Sequence, residues 1–309
     1  MCIAAFFLIQ IRTVKIMKNK NIIGHLSALL TILIWGTTFI STKILLTDFK
    51  PVEILFLRFV LGFFALLVIA PKHMKCTNIK QELTFMLAGL CGICLYYLLE
   101  NISLTYTMAS NVGVIISTAP FFTGLLTKLF FKKDNELNKN FFIGFAIAMA
   151  GVILLSFNGA KLKLNPIGDI LAICAAFVWA CYSILTKKIS ELGFPVILAT
   201  RRTFFYGIIF MVPAMFLFNF DVNVSKIITP PNLIHMLYLG LGASALCFVT
   251  WNIAVKSLGA VKTSIYIYIV PVVTVITSAI MLKEPISIIS VIGTLLAITG
   301  LFASEYKRN

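Results

Sequence analysis

Charged residues are scarce in this sequence: they make up 12% of its 309 residues, whereas 60% of the residues are hydrophobic. A soluble globular chain is nearer half apolar and about a quarter charged. Acidic residues are the scarcest, with 11 Asp and Glu against 26 Lys and Arg. This balance excludes an ordinary soluble protein and predicts an integral membrane protein.

Long polar segments are also missing. Apolar stretches long enough to span a bilayer, about 17 to 25 residues, recur along the whole chain. We place them at 24–46, 52–70, 83–105, 109–131, 141–157, 168–188, 196–218, 233–255, 260–282 and 286–304. No loop between them is long enough for a soluble domain. The sequence therefore predicts an all-α integral membrane protein of about ten transmembrane helices, with its function inside the membrane.

Motifs for catalysis and for metal binding are absent as well. The sequence has no phosphate-binding loop and no pair of catalytic carboxylates, and its 3 His residues are scattered. A membrane-bound enzyme would need convergent acids, His residues or a metal site. Cys91 and Cys94 form a C-x-x-C, but it lies within an apolar helix and has no second pair, so we interpret it as helix packing. We expect no enzyme activity, cofactor, metal or disulfide.

The net charge of +15 is better explained by topology than by nucleic-acid binding. Lys and Arg concentrate in the cytoplasmic loops of membrane proteins, and most basic residues fall on one side when the N-terminus is placed inside. We therefore predict a cell-membrane protein with both termini cytoplasmic. Residues 1–23 form a basic tail in this interpretation, with 1–16 as an upstream start before Met17, and 305–309 form the second tail.

The main pattern is an internal repeat, in which residues 24–157 align with residues 166–304. Matches of Gly, Pro and Trp count most, because any two apolar helices share Leu and Ile by chance. The pairs include Gly24–Gly168, Trp35–Trp179, Pro51–Pro195, Arg58–Arg202, Gly89–Gly240, Asn101–Asn252, Pro120–Pro271 and Gly151–Gly300. Each unit holds five predicted helices, an odd number, so the second unit must be inverted. Inverted repeats indicate a transporter with a site between the halves.

Several motifs extend this interpretation to a known family. LIWGTTFISTKIL and GDILAICAAFVWACYSILTKK surround the paired tryptophans, and TMASNVGVIISTAPFFTGLL and KEPISIISVIGTLLAITGL follow later in the halves. Over nearly all of residues 24–304 the chain resembles the drug/metabolite transporter superfamily, in the branch built from two EamA domains. The resemblance implies a ten-helix basket whose central cavity is lined by the first, third and fourth helices of each half. It also implies transport of amino acids, other small metabolites, nucleotide-like compounds or drugs, often outward and often coupled to protons.

Polar or small residues recur at helical spacing on the helices that would line such a cavity. They are Ser27, Thr31, Trp35, Thr38 and Thr42 in the first helix; Ala175, Trp179, Tyr182 and Thr186 in the sixth; Ser110, Gly113, Ser117, Pro120, Gly124 and Thr127 in the fourth; and Ser264, Tyr268, Pro271, Val275 and Ser278 in the ninth. The candidates for substrate contact are Trp35, Trp179, Tyr96, Tyr182, Ser117, Trp251 and Tyr268, with close helix packing as the alternative. Pro120 and Pro271 are hinge candidates, since each removes a backbone hydrogen bond.

Glu100 lies well inside the third predicted helix, on one face with Tyr96. An ionised group facing lipid would cost on the order of 3 kcal/mol or more, so an acid inside a membrane suggests function. Three interpretations are open: an ion pair with Arg58 that fastens two helices, binding of a substrate ammonium or a proton, or a position that reaches the interface. The residue aligned with Glu100 in the second unit is Trp251.

Other polar residues have structural explanations. We expect Asn101 and Asn252 to make scaffold hydrogen bonds and Arg202 to anchor the inner end of the seventh helix. Asp169 and Glu284 suit helix N-termini, where an acid complements the helix dipole.

Together these patterns favour a secondary transporter, an exporter of a small metabolite such as an amino acid or derivative, that works by alternating access with or without protons. The alternatives are a multidrug or lipophilic-cation exporter and a nucleotide-like metabolite carrier of the same fold, and a membrane-bound enzyme is less favoured. A channel would need a polar ring repeated by symmetry, which Trp251 opposite Glu100 does not provide. The expected partners are a small-molecule substrate, the lipid bilayer and protons, and no pattern favours a monomer over a dimer.

Overall fold

The fold consists of helices, seen in a computed structural model that describes residues 2–72, 74–75, 78–107, 109–131, 139–156, 165–221, 223–282 and 288–305. The helices are α1 (Cys2–Leu45), α2 (Pro51–Ile69), α3 (Ile79–Tyr106), α4 (Ala109–Ile116 and Ala119–Phe130), α5 (Lys139–Ser156), α6 (Pro166–Glu191), α7 (Val196–Leu217), α8 (Pro230–Leu258), α9 (Ala260–Ile265, Tyr266–Ile269 and Val270–Leu282) and α10 (Ile288–Glu305). A one-turn helix, Val224–Ile227, lies between α7 and α8. The described ranges contain no strand, so the all-α prediction is confirmed.

Seven of these helices are long and apolar enough to cross a membrane. Within the described ranges, α5, α9 and α10 contain three shorter apolar segments, Lys139–Leu154, Ala260–Thr274 and Val291–Ser304. The lengths and hydropathy confirm an integral membrane protein with several transmembrane helices. Ten crossing helices stay a prediction.

The start of α1 differs from the sequence-based expectation. We expected a tail over residues 1–23, but the helix begins at Cys2. The segment before Gly24 contains neither Gly nor Pro, so no residue in it interrupts a helix. Of the other expectations, Glu284 lies outside the described residues, and so do the side chains of Ser110, Val275 and Ser278.

Two π-helical segments occur at equivalent positions of the repeat. One interrupts α3 at Leu90–Leu95, directly after Gly89, and the other interrupts α8 at Tyr238–Leu246, which contains the aligned Gly240; the two segments end at the equivalent residues Leu95 and Leu246. A π segment widens a helical turn and is frequent at functional sites. The two units therefore share a backbone irregularity as well as residue types.

Helices α4 and α9 each change geometry just before their aligned prolines. α4 stops at Ile116 and resumes at Ala119, before Pro120, whereas α9 passes through a 3₁₀ turn at Tyr266–Ile269, before Pro271. Proline has no N–H, so the carbonyl four residues earlier loses its donor. The irregularities follow directly from the two prolines, while a hinge role for them stays a prediction.

Glycines allow the two units to pack closely against each other. A Cβ on Gly89 of α3 would lie 2.6 Å from the backbone nitrogen of Gly207 in α7. A Cβ on Gly240 of α8 would lie 2.8 Å from Leu61 Cβ in α2. The second helix of each unit thus packs on the third helix of the other unit, a reciprocal arrangement of two related units.

Helices α5 and α10 form a second close contact between the units. A Cβ on Gly300 would lie 2.4 Å from the backbone nitrogen of Ala148, and one on Gly151 would lie 2.5 Å from the backbone nitrogen of Ala297. Small residues let membrane helices approach to backbone contact. This crossing depends on the absence of side chains at both glycines.

Candidate functional site

A cavity lies at the centre of the helices, between α1, α3, α4, α6 and α9. Its lining consists of Trp35, Thr38, Phe39, Tyr96, Tyr97, Glu100, Ile116, Trp179, Ile267 and Val270. Its volume is about 40 Å³, and a water needs about 10–15 Å³ by the same measure. In this conformation the cavity therefore admits a few water molecules, and a metabolite would require the helices to move apart.

The cavity lies where the two units meet. Trp35 and Trp179 are equivalent in the repeat, and their ring centroids are 5.2 Å apart in an edge-to-face arrangement. Ile116 and Ile267, the two residues whose carbonyls lose their donors to the prolines, are also equivalent and also line the cavity. Equivalent residues that meet each other lie close to the axis that relates the units.

Aromatic residues supply half of the cavity lining, and further rings pack behind them. The Trp35 ring centroid lies 5.1 Å from that of Trp251, and the Trp179 centroid lies 4.7 Å from that of Tyr96 and 5.1 Å from that of Tyr182. Such pairs stabilise beyond their buried area, and the faces of the rings attract cations. The aromatic part of the wall is thus closely packed and favourable to a positive charge.

Glu100 is the acid in this lining. Its side chain is 7% exposed, and Tyr96, one turn earlier on α3, is its hydrogen-bonding neighbour. Its second carboxylate oxygen, Oε2, is buried and has no hydrogen-bond partner among the described residues. A buried carboxylate oxygen without a donor is costly, so Glu100 has an open acceptor beside the cavity.

Arg58 does not form the direct ion pair with Glu100 that was one of our interpretations. Its Nε donates to Ser244 Oγ of α8 at 2.9 Å, and its guanidinium lies 4.5 Å from the Tyr97 ring centroid. The Arg58 side chain therefore points from α2 towards α8. Among the ion pairs of the described residues, none joins Arg58 to Glu100. It still acts electrostatically on Glu100, as the fixed positive charge near the cavity.

The two central tryptophans differ in their hydrogen bonds. Trp35 Nε1 donates to the Ala243 carbonyl at 2.9 Å, within the π segment of α8. Trp179 is 3% exposed, and its Nε1 has no partner among the described residues. Both rings line the cavity as predicted, yet only one indole N–H is used by the fold.

Two further candidates, Tyr182 and Trp251, lie next to the cavity and outside its lining. Tyr182 is 1% exposed, and its hydroxyl donates to Asn252 Oδ1 at 3.1 Å. Trp251 is fully buried against Trp35 and Trp179. Both side chains pack behind the lining residues and do not face the cavity.

The candidates Ser117 and Tyr268 lie farther from the cavity. Ser117 Oγ donates to the Gly113 carbonyl of its own helix at 2.8 Å. Tyr268 packs with Phe141 and Ala148 in a separate apolar cluster. In this conformation neither residue belongs to the cavity lining, and substrate contact by Ser117 or Tyr268 stays a prediction.

The predicted scaffold residues make hydrogen bonds between helices. Asn101 Nδ2 donates to the Pro51 carbonyl at 3.3 Å, and Asn252 Nδ2 donates to Thr200 Oγ1 at 2.8 Å. Arg202 is more than an anchor, since it forms an ion pair with Glu82 at 2.6 Å.

Sequence reasoning missed four apolar lining residues, Phe39, Ile116, Ile267 and Val270, and one aromatic, Tyr97. Tyr97 follows directly on Tyr96, and neighbours in a regular helix do not face the same side. The π segment that ends at Leu95 precedes both tyrosines. Ile116 and Ile267 were detectable in principle, because each lies four residues before an aligned proline.

Comparison with known proteins identifies the family of this chain. The model of the EamA-like transporter family matches residues 22–157 and 166–305. An "Uncharacterized transporter" of Archaeoglobus fulgidus is 28% identical over 290 residues, covering 92% of this chain and 98% of that protein. A "Probable amino-acid metabolite efflux pump" of Salmonella typhimurium is 26% identical, covering 90% of this chain and 93% of that protein. A crystal structure at 18% identity superimposes with a TM-score of 0.74 over 91% of this chain and 96% of its own, a likeness of fold.

Proposed function

This chain belongs to the EamA-like transporter family, and we propose that it exports a small metabolite with an amino group, an amino acid or a derivative. The observation that carries the proposal is Glu100, a buried acid with an unpartnered oxygen in an aromatic cavity between the two units. The printed name of the Salmonella typhimurium relative adds support for this substrate class.

The chemistry of the cavity suits an ammonium group. An ionised carboxylate out of water needs hydrogen-bond donors as well as an opposite charge. Arg58 acts on Glu100 as a positive charge without bonding to it, and an ammonium would supply hydrogen-bond donors to the open oxygen. The rings of Trp35, Trp179 and Tyr96 add attraction for a cation. When no substrate is present, a proton on Glu100 would relieve the same cost, which allows exchange of substrate against protons.

Alternating access follows from two inverted units. We propose ten membrane crossings with both termini in the cytoplasm of a cell-membrane protein, so that the units are related by an axis through the cavity. The contact between Trp35 and Trp179 and the exchanged packing of α2 on α8 and α7 on α3 support this arrangement. Pro120 and Pro271 are the proposed hinges, because the helices are already irregular beside the cavity.

A lipophilic-cation exporter is the second candidate. The observation in its favour is the aromatic wall, since Trp and Tyr faces together with an acid bind organic cations of many shapes. Both candidates predict a role for Glu100, and they differ in whether amino acids compete.

Uptake into inside-out vesicles tests the proposal. A panel of amino acids, amines and other metabolites is offered with and without an imposed proton gradient to the parent, to Glu100→Gln and to Glu191→Gln, a control at an exposed acid. We expect uptake of an amino compound in the parent and the control, and a loss of about tenfold or more in Glu100→Gln, because one charge-assisted contact is removed. Equal uptake by folded Glu100→Gln protein would contradict the role of Glu100.

A further inference from the structure

We infer that the substrate carries a carboxylate beside its ammonium, and that the free indole N–H of Trp179 receives this carboxylate while Glu100 receives the ammonium. The inference rests on the proposed function and narrows it to zwitterionic amino compounds. It also assigns Trp179, rather than its equivalent Trp35, as the residue that selects for the carboxylate.

The first observation is the broken symmetry between the tryptophans. Trp35 Nε1 is bonded to the Ala243 carbonyl, and the residue equivalent to Ala243 in the first unit is Gly92. A Cβ on Gly92 would lie 2.2 Å from the Tyr182 ring, so the tyrosine occupies the space beside Gly92. The residue equivalent to Tyr182 is the smaller Thr38. Trp179 lacks the bond that its counterpart makes.

The second observation is that the unused N–H belongs to a residue of the cavity wall. Native proteins leave few buried donors unpaired, because an unmade hydrogen bond is destabilising. Trp251 Nε1 is also unpartnered among the described residues, but Trp251 lies outside the lining. Trp179 and Glu100 thus present an open donor and an open acceptor to the same small cavity.

The third observation is the charge balance. Arg58 is 2% exposed and lies outside the cavity lining. Its Nε donates to Ser244 and its guanidinium lies on the Tyr97 ring, while its Nη2 has no partner among the described residues. It acts on Glu100 as a positive charge. With Glu100 ionised, the two charges sum to zero. A zwitterion keeps that sum at zero, whereas an amine without a carboxylate leaves one uncompensated charge in a poorly solvated site, where such charges are costly.

Binding of matched ligand pairs to the purified full-length chain tests the inference. The probes are leucine and isoamylamine, which lacks only the carboxylate, together with leucine methyl ester, measured by calorimetric titration. For the parent we expect leucine to bind about tenfold to a hundredfold more tightly than either cation, the range for a hydrogen bond to a charged group. A neutral amino-acid panel extends the pair if leucine is too large.

The variants are Trp179→Phe and the matched control Trp35→Phe. Trp179→Phe keeps a ring in place and removes the N–H, so we expect it to abolish the preference for leucine over isoamylamine. Trp35→Phe removes a hydrogen bond within the protein, so any loss of affinity should be equal for leucine and isoamylamine.

The outcomes separate the inference from the proposed function. Parent protein that binds both ligands equally, or Trp179→Phe that weakens both equally, overturns the inference and leaves an amine transporter. Parent protein that binds no amino compound overturns both. If Trp179→Phe does not fold, the comparison of leucine with its methyl ester in the parent still decides whether the carboxylate is recognised.

Discussion

The ion pair between Arg202 and Glu82 offers a direct test of how one side of the protein is held closed. Arg202 Nε donates to Glu82 Oε1 at 2.9 Å, and Nη2 donates to Oε1 and Oε2 at 2.6 and 2.7 Å. Nη1 donates to the Met74 carbonyl at 2.6 Å, and the Tyr206 hydroxyl also donates to Glu82. The pair joins α7 to the start of α3 and to the connection that precedes it. We propose that it restrains opening between these helices.

The strength of this contact follows from its burial. The side chains of Arg202 and Glu82 are 23% and 18% exposed, so the ion pair is partly buried. A fully exposed ion pair is worth under about 1 kcal/mol, and disrupting a fully buried one costs about 3–5 kcal/mol. We take about 2 kcal/mol as the loss on Arg202→Met, within the range for hydrogen bonds to charged groups. A change of this size raises the population of a locally open state about 30-fold.

Hydrogen exchange measures that population. In Arg202→Met we expect the amides of the connection between α2 and α3 and of the first turns of α3 to exchange up to about 30-fold faster. Arg202→Lys keeps the charge without the planar fork and should give an intermediate rate. The control is Lys80→Met, which removes an exposed charge from the same region. Unchanged exchange in Arg202→Met, or an equal change in Lys80→Met, would refute the restraint.

Three glycine substitutions test the packing. In Gly300→Ala the new Cβ would lie 2.4 Å from the Ala148 backbone, so α5 and α10 must separate. The thermal midpoint in detergent should then fall by the equivalent of about 1–3 kcal/mol. The control Gly113→Ala, with no described atom within 4 Å of the new Cβ, should be neutral or stabilising by up to about 1 kcal/mol, and equal midpoints for the two variants would contradict this reasoning. Gly92→Ala should displace Tyr182 and lower vesicle uptake while the protein still accumulates in the membrane; parent-like uptake would show that the Tyr182 ring moves aside without consequence.

The sequence predicted the family and the membrane location because both depend on composition and on aligned residue types. The match to the EamA-like transporter family confirms the resemblance drawn from the tryptophan motifs. The predicted helix segments agree with most helix bounds, because lipid requires long apolar stretches whose backbone hydrogen bonds are satisfied internally. The helix α1 begins earlier than the predicted span, at Cys2, since basic residues favour a cytoplasmic position without stopping a helix; the cytoplasmic tail stays a prediction.

Residues of the candidate site were predictable where repeat position and polarity coincide. Glu100, Tyr96, Trp35 and Trp179 all line the cavity. Spacing could not exclude Ser117, whose hydroxyl bonds within its own helix, because a polar face that packs and a polar face that lines a cavity have the same period.

Residue chemistry and repetition along the chain are thus determined by the sequence alone: an apolar chain in two related units, a pair of tryptophans, a pair of prolines and one acid among aromatic residues. The tertiary structure determines which of these groups already have a partner within the protein. Arg58 lies on Ser244 and Tyr97 rather than on Glu100, and Trp35 is bonded to Ala243 while Trp179 is not. Partners come from helices distant in sequence, and their choice depends on ångström-scale packing, such as the Tyr182 ring against Gly92. No pattern along the chain contains that information.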